Sequence, residues 1–277
     1  MFITVINDCQ DPNAGGRQLA RLQSLLGWPA TLIGVSGDLN GRGELEAAGN
    51  LVDVLDAAEG RPGIVLVNVA PRSGELKHWP NGSPFGYFFH QKTLVLSSLA
   101  GLTLSLVKKL KVVPRAQILN IPEVLDAMIQ RGHLNPSDKE RITTSQFRSY
   151  EFLPRAARWL FDGLEIPSRD YELGNIPNAP RAVWWVDNFG NCKTTLLPED
   201  VCLIRDGVSN RVNFQPGEVV STTVGQLVFY RQLREVPRGA PALVVGSSGI
   251  GGRRFLEIVL QGGGAAEHLS LRTGSLI

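Results

Sequence analysis

Trp184-Trp185-Val186-Asp187-Asn188-Phe189-Gly190-Asn191-Cys192-Lys193-Thr194-Thr195-Leu196 is the stretch around which this 277-residue chain is organised. Ala182 to Val186 is apolar, aromatic and β-branched, and reads as a strand. Asn188 to Asn191 is turn chemistry, because Gly and Asn tolerate positive φ. Lys193 to Leu196 reads as the returning strand. The tip of this hairpin gathers a carboxylate (Asp187), an aromatic face (Phe189) and an amide (Asn191). Two readings are open. The three groups grip a small ligand with a cationic end and a flat heterocycle, or the hairpin is a plain one whose Asp and Asn satisfy their own backbone.

Outward from this hairpin, the C-terminal third continues as short strands. They are Arg211 to Phe214, Glu218 to Thr223, Gln226 to Tyr230, Ala242 to Gly246 and Phe255 to Leu260. Gln215-Pro216-Gly217 and Pro237-Arg238-Gly239 punctuate them as turns. Short strands with frequent turns predict a small antiparallel β-barrel. Ser247 to Gly252 reads as a wide loop between two of its strands. It lacks the Gly-Lys-Ser/Thr of a phosphate-binding loop.

Upstream, Ile166 to Pro180 carries three prolines and reads as an interdomain linker. This predicts domains at 1–170 and 171–277, divided near Gly174. Before the linker the periods lengthen. Phe2 to Asn7, Thr31 to Val35, Ile64 to Val69, Thr93 to Ser97 and Gln117 to Ile121 read as strands. Gly15 to Leu26, Glu44 to Ala58, Leu99 to Leu110 and Phe152 to Leu164 read as helices, with Pro122 placed to open another. Alternation of strand and helix predicts an α/β domain with a largely parallel, helix-covered sheet. Ala70 to Pro84 is a long polar loop of the kind that often serves function. Ligands in such folds sit beyond the carboxyl ends of the strands. Asp8, just past the first strand, is therefore either a turn residue or a carboxylate for the vicinal hydroxyls of a ribose.

Composition narrows the class. The chain is 43% hydrophobic and 19% charged, with a formal net charge of +2. That balance gives no argument for nucleic acid or a membrane surface as partner. No apolar run reaches the roughly 20 residues of a membrane span. Met1 to Ile6 begins directly as a strand, without a basic leader, so a cytoplasmic protein is expected. Cys9, Cys192 and Cys202 are unpatterned and read as reduced thiols. His78, His90, His133 and His268 show no metal-ligand spacing.

Two motifs carry a family resemblance. Asp187-Asn188-Phe189-Gly190-Asn191, followed by Thr194, resembles the Asp-x-Phe-Gly-Asn-x-x-Thr segment of the S-adenosyl-L-methionine hydroxide adenosyltransferases, a family that also contains fluorinase and chlorinase enzymes. Downstream, Ser247-Ser248-Gly249, then Phe255-Leu256-Glu257-Ile258 and Gly262 to Ala266, is similar to the family's Asn-Ser-x-Gly-Tyr-Leu-Glu-Ile-Ala segment and its Gly-Ser/Asn-Ala-Ala turn. Ile250 to Arg254 departs from it as an insertion. The resemblance implies S-adenosyl-L-methionine as substrate with no further cofactor, and displacement of methionine at the ribose 5′ carbon. Residue chemistry suits Asp187, with the Ser247 hydroxyl, to the amino-acid end and Phe189 and Asn191 to adenine, with Ser248 a further ligand-binding candidate. The resemblance implies that Asp8 binds the ribose, Ser247 the methionine end, and the backbone near Gly264 and Ala265 the adenine. It further implies a homotrimer with ligand sites between subunits.

The resemblance weakens where the family activates water. Hydroxide-type members use an Asp, an Arg and a His. Here Ala70 stands where the family's Asp is, in Val67-Asn68-Val69-Ala70-Pro71, and Phe147 stands in place of the His. Arg72, Ser73, Arg148 and Ser149 remain as candidates for the nucleophile pocket. These departures leave two classes open: an adenosyltransferase with altered nucleophile chemistry, or a protein of the same fold that holds an adenosyl ligand without reacting it. A nucleotide oxidoreductase is disfavoured, because no Gly-x-Gly-x-x-Gly follows the first strand.

Overall fold

The computed structural model describes residues 1–37, 42–69, 71, 83–201 and 215–277. The chain divides into two units, Met1–Asn178 and Ala179–Ile277. The expected strand at 211–214 and Cys202 lie outside the described residues.

The first unit is built on a seven-stranded sheet of β1 (Phe2–Asn7), β2 (Thr31–Gly34), β3 (Gly63–Asn68), β4 (Phe85–His90), β5 (Thr93–Ser98), β6 (Arg115–Leu119) and β7 (Arg169–Glu172). The strand order is β2-β1-β3-β5-β4-β6-β7. The first four in this order pair in parallel, whereas β4, β6 and β7 pair antiparallel. The sheet is therefore mixed rather than largely parallel. The cause is the β4–β5 hairpin, closed by the two residues between His90 and Thr93. Gln91 there takes a positive φ of 53°. Only Gly and Asn normally advertise that conformation in sequence, so the hairpin gave no turn signal.

Helices cover both faces. Ile3, Val5, Ile64, Leu66, Leu94 and Leu96 face one core with Leu22, Leu26, Val124, Met128, Phe152 and Trp159. Their neighbours Ile6, Val65, Val67 and Val95 are equally buried on the opposite face. Burial on both faces is why these parallel strands read as continuous apolar runs. On the first face lie α1 (Pro12–Leu26), α4 (Ile121–Gln130) and α7 (Leu153–Phe161), on the second α2 (Arg42–Ala57) and α3 (Ser105–Lys109). Between α4 and α7 come α5 (Asp138–Thr144) and α6 (Arg148–Glu151). Asp11 caps α1, its Oδ1 accepting from the N–H groups of Asn13 and Ala14 at 3.0 Å each. The expected helix from Leu99 to Leu110 is reduced to α3, because Gly101 turns the chain at φ 70°. β7 lies within the segment read as a linker. Its charged residues suit an edge strand, and Arg115 pairs with Asp170 at 2.6 Å while Arg169 pairs with Glu123 at 2.9 Å.

The second unit holds a six-stranded sheet of β8 (Val183–Val186), β9 (Cys192–Thr194), β10 (Val219–Thr222), β11 (Gly225–Tyr230), β12 (Pro241–Ile250) and β13 (Arg253–Leu260), followed by α8 (Ala265–His268). The order is β10-β11-β12-β13-β9-β8. β11 pairs with β12 in parallel and the remaining pairs are antiparallel. Among the described residues these pairings give a mixed sheet rather than a purely antiparallel one, and none of them joins the outer strands β10 and β8. A ten-residue return from Tyr230 to Pro241, with a 3-10 turn at Leu233–Glu235, sets the parallel register. Of the residues read as a wide loop, Ser247 to Ile250 are instead the end of β12, and Gly251 and Gly252 make a tight turn into β13, with a bulge between Val245 and Gly249. Val183, Cys192, Leu243, Leu256, Ile258 and Ala265 form this unit's core.

Candidate functional site

In the first unit the strand order reverses between β1 and β3. Such a switch point opens a crevice beyond the carboxyl ends of the strands. Asp8 follows β1 directly and is partly buried there. Two residues that the sequence reading passed over tie the crevice together: Asn68 Nδ2 donates to Asn7 Oδ1 at 2.9 Å, and the same Oδ1 accepts from Cys9 N at 3.1 Å. The visible signal was an Asn at the end of each of two apolar strands. The carbonyl of Val69, just past β3, accepts from the hydroxyls of Ser98 and of Thr103, the latter at 3.1 Å. Ala70, Arg72 and Ser73 lie outside the described residues.

Arg148 opens α6 and stands at the same end of the sheet, where β5 finishes. Its guanidinium lies 5.2 Å from the ring centroid of Phe85, the residue that pairs with Ser98 at the end of β5. Among the described residues no carboxylate pairs with it. Burial holds its pKa below the usual arginine value. Ser149 is buried. Phe147 stacks on Tyr150 at 5.4 Å, under the guanidinium of Arg17. Arg21 Nη2 donates to Tyr150 Oη at 2.6 Å, which pulls the phenol pKa down.

In the second unit the hairpin tip is held by Asp187. Its Oδ1 accepts from the N–H groups of Phe189 at 2.8 Å and Asn191 at 2.9 Å, and its Oδ2 accepts from Asn191 Nδ2 at 3.0 Å. A carboxylate offers about four acceptor positions, so the turn takes three of them. Phe189 is 80% exposed, an unusual place for a bare ring. Gly190 has a φ of 78°, and a Cβ on it would lie 2.7 Å from the Cα of Gly264. Ala266 N donates to Gly190 O at 2.9 Å. Gly190 and the Phe189 carbonyl are thus brought against Gly264.

Ser247 and Ser248 sit on the β12 bulge, two strands away. Ser247 is exposed, and its N–H donates to Glu257 Oε1 at 3.3 Å while its carbonyl accepts from Arg254 at 2.9 Å. Ser248 turns inward and is 1% exposed, its Oγ accepting from Lys193 Nζ at 2.7 Å. Glu257 and Lys193 face one another across β13 and β9, which links bulge and hairpin in one sheet. Burial, with Asp187 nearby, pushes the Cys192 thiol up to about 12. Among the described residues no group of three His, Cys, Asp or Glu side chains is placed to hold a metal ion, and no helix is long and apolar enough to cross a membrane.

Comparison with known proteins bears on this second unit most directly. Residues 181–277 match the family model described as SAM hydroxide adenosyltransferase C-terminal domain. No curated protein matches the chain. Among solved structures, the chain is similar to an uncharacterized conserved protein from Thermotoga maritima at 17% identity and a TM-score of 0.65, covering 99% of this chain and 98% of that one. It is also similar to a conserved hypothetical protein from Thermus thermophilus at 20% identity and a TM-score of 0.55, covering 99% and 97%. At these identities the two likenesses speak for the fold alone. From Arg181 to Ile277 the chain carries the C-terminal domain of the S-adenosyl-L-methionine hydroxide adenosyltransferase family, in a divergent form.

Proposed function

We propose that this protein binds S-adenosyl-L-methionine and displaces its methionine at the ribose 5′ carbon with water, hydroxide or another small nucleophile. The observation that carries the reading is the meeting of two separated segments, Asp187 to Asn191 and Gly264 to Ala266, on one surface beside an exposed ring. Phe189 offers a stacking face for adenine. Asn191 uses its amide nitrogen on Asp187, which leaves its carbonyl oxygen to accept from the exocyclic amine. Asp187 keeps one acceptor position, and Ser247 its hydroxyl, for the amino-acid end. Asp8 at the switch point suits the ribose.

The chemistry asks little of acid or base. The nucleophile's electron pair forms the bond to the 5′ carbon as the carbon–sulfur bond breaks, and the electrons leave on a neutral thioether. The protein's task is to hold the three atoms in line and to strip water from the nucleophile. Arg148, desolvated and without a carboxylate among the described residues, favours an anionic nucleophile over water, with Ser149 next to it in the chain and Arg72 and Ser73 assigned to the same pocket by the family resemblance. Phe147, stacked on Tyr150 under Arg17, has no group that takes a proton. With Ala70 it makes hydrolysis to adenosine slow or absent, and supports the second reading, an adenosyl-ligand-binding protein that does no chemistry.

Incubation with S-adenosyl-L-methionine, with adenosine and methionine followed by chromatography and binding by calorimetry, separates these. Binding without release supports the second reading. Release of adenosine at an ordinary enzymatic rate, of order 1 per second, overturns the assignment of Ala70 and Phe147. No binding overturns both. The same reading carries a homotrimer, which light scattering checks.

A further inference from the structure

The geometry points to a second small-molecule site, at the end of the first unit opposite Asp8, that takes a compact monocarboxylate with an aromatic or branched aliphatic body. A helix that follows a parallel strand runs back along it. α1 is 15 residues long, about 22 Å at 1.5 Å per residue, so its C-terminal end stands well away from the β1–β3 crevice. There, between the ends of α1 and α7 and the loop after α4, lies a cavity of about 270 Å³. That is about nine waters' share of liquid volume, room for a ligand of roughly ten non-hydrogen atoms. Leu25, Leu134, Trp159 and Leu164 give it apolar walls. Arg155, Arg158, Asp162 and His133 complete the lining.

Arg155 donates from Nη1 to Glu151 Oε2 at 3.0 Å. That carboxylate is shared with Arg141 and, at 3.9 Å, with Arg21. Among the described residues, only Arg141 of these three has another carboxylate, Asp138 at 2.7 Å. Three guanidiniums therefore rest on two carboxylates. Arg155 is nearly buried, its side chain 12% exposed, so its charge is poorly screened. Arg158 donates from Nε to Asp162 at 2.6 Å and from Nη1 to the Leu25 carbonyl at 3.0 Å. A guanidinium carries five N–H donors. Among the described residues, Nη2 of Arg155 and of Arg158 makes no hydrogen bond. A pocket with four apolar lining residues on one side and two guanidiniums with unused donors on the other is built for an anionic head on an apolar body. Asp162 sits on the exposed rim, where a ligand carboxylate displaces it from Arg158 at little cost. The inference does not depend on the adenosyl reading.

Phenylacetate, with ten non-hydrogen atoms, is the probe, and phenylacetamide its neutral counterpart. Titration of the full chain, by calorimetry and by the indole N–H resonance of Trp159, should give one saturable site with a Kd of about 1 mM or tighter, as a ligand of this size reaches at ordinary efficiency. Phenylacetamide should bind about tenfold more weakly, the ratio expected when a charge-assisted hydrogen bond is lost. Arg158→Gln should weaken phenylacetate by a similar factor. Leu134→Trp, which fills the cavity, should abolish binding while circular dichroism and the thermal transition stay close to those of the parent. Should Leu134→Trp fail to fold, Arg158→Gln and the acid–amide ratio decide alone. Equal affinity for acid and amide, binding unchanged in Arg158→Gln or in folded Leu134→Trp, or no saturation at about 10 mM would overturn the proposal.

Discussion

Gly190→Ala is the substitution that tests whether the two ligand-facing segments hold one another in place. Gly190 has a φ of 78° and sits with its Cα against the backbone of Gly264. Two separate costs follow. The first is conformational: an L-residue in the left-handed region loses about 1–2 kcal/mol. The second is steric. The new Cβ would lie 2.7 Å from the Cα of Gly264 and 3.4 Å from its carbonyl carbon, where carbon pairs prefer about 3.5–4.0 Å. The obstacle is backbone, so no rotamer change relieves it. Either the hairpin tip or the start of α8 must move. The Ala266 N–H to Gly190 O bond of 2.9 Å lies across that same contact. Overpacking of this kind costs about 1–3 kcal/mol, for a sum near 2–5 kcal/mol. Gly239→Ala isolates the first cost, because Gly239 has a φ of 80° and nothing within 4 Å of its missing Cβ. Urea unfolding of the full chain should show Gly190→Ala the less stable of the two by about 1–3 kcal/mol. It should also show weaker binding of S-adenosyl-L-methionine, with Gly239→Ala close to the parent. Equal destabilisation by both variants would mean that the contact holds nothing together, and the case for one composite surface would fall.

Four further outcomes are expected. Phe189→Ala should leave stability nearly unchanged, since the ring is 80% exposed, yet weaken the adenosyl ligand by about 1–3 kcal/mol, the range for loss of a base–ring stack; unaltered calorimetric affinity would remove Phe189 from the site. Asp187→Ala should cost about 1–3 kcal/mol in ligand affinity and also loosen the turn, whose N–H groups lose their acceptor; a variant with normal affinity would show that the carboxylate serves the turn alone. Ala70→Asp combined with Phe147→His should raise turnover to adenosine by about 10²-fold or more with little change in affinity, and chromatography that finds no added adenosine would count against the proposed alignment of that pocket. The Cys192 thiol, ordinarily near 9.0 and pushed up to about 12 by burial, stays protonated in the fold after the unfolded chain has ionised. Its contribution to stability is therefore present below pH 9 and lost as pH rises towards 12. The decline of stability over that window should be shallower in Cys192→Ala, and an identical pH profile would refute it.

How much of this was readable beforehand follows from where each signal lives. The Trp184 to Leu196 hairpin was legible because its strands and its turn are local chemistry, and β8, β9 and the Gly190 turn follow the reading closely. β1, β2 and β3 were legible because strands buried on both faces leave unbroken apolar runs. What escaped is non-local. Nothing within Gly225 to Ile250 says that β11 and β12 run parallel, since that register is set by how a ten-residue return folds back. β7 reads Arg-Asp-Tyr-Glu, and its charges mask a strand until Arg115 and Glu123 are in place beside it.

The site shows the same division between residue chemistry and residue geometry. Ser247 and Ser248 are chemically alike and adjacent. Their alternation along β12 leaves one facing out while the other is buried on the Lys193 ammonium. Asp187 shows the point most sharply, because its two readings were posed as alternatives. Its carboxylate does satisfy its own loop, with three hydrogen bonds. Those same bonds fix the tip at which Phe189 stands exposed and Gly190 meets Gly264. A turn that closes on itself is therefore no evidence against a ligand. A rigid tip loses less freedom on binding than a loose one, and that saving appears directly as affinity. On this argument Asp187→Asn, which keeps the Oδ1 acceptor for the two backbone N–H groups, should retain more of the ligand affinity than Asp187→Ala. If the two variants bind equally weakly, the charge of Asp187 matters to the ligand and the rigidity of the turn does not.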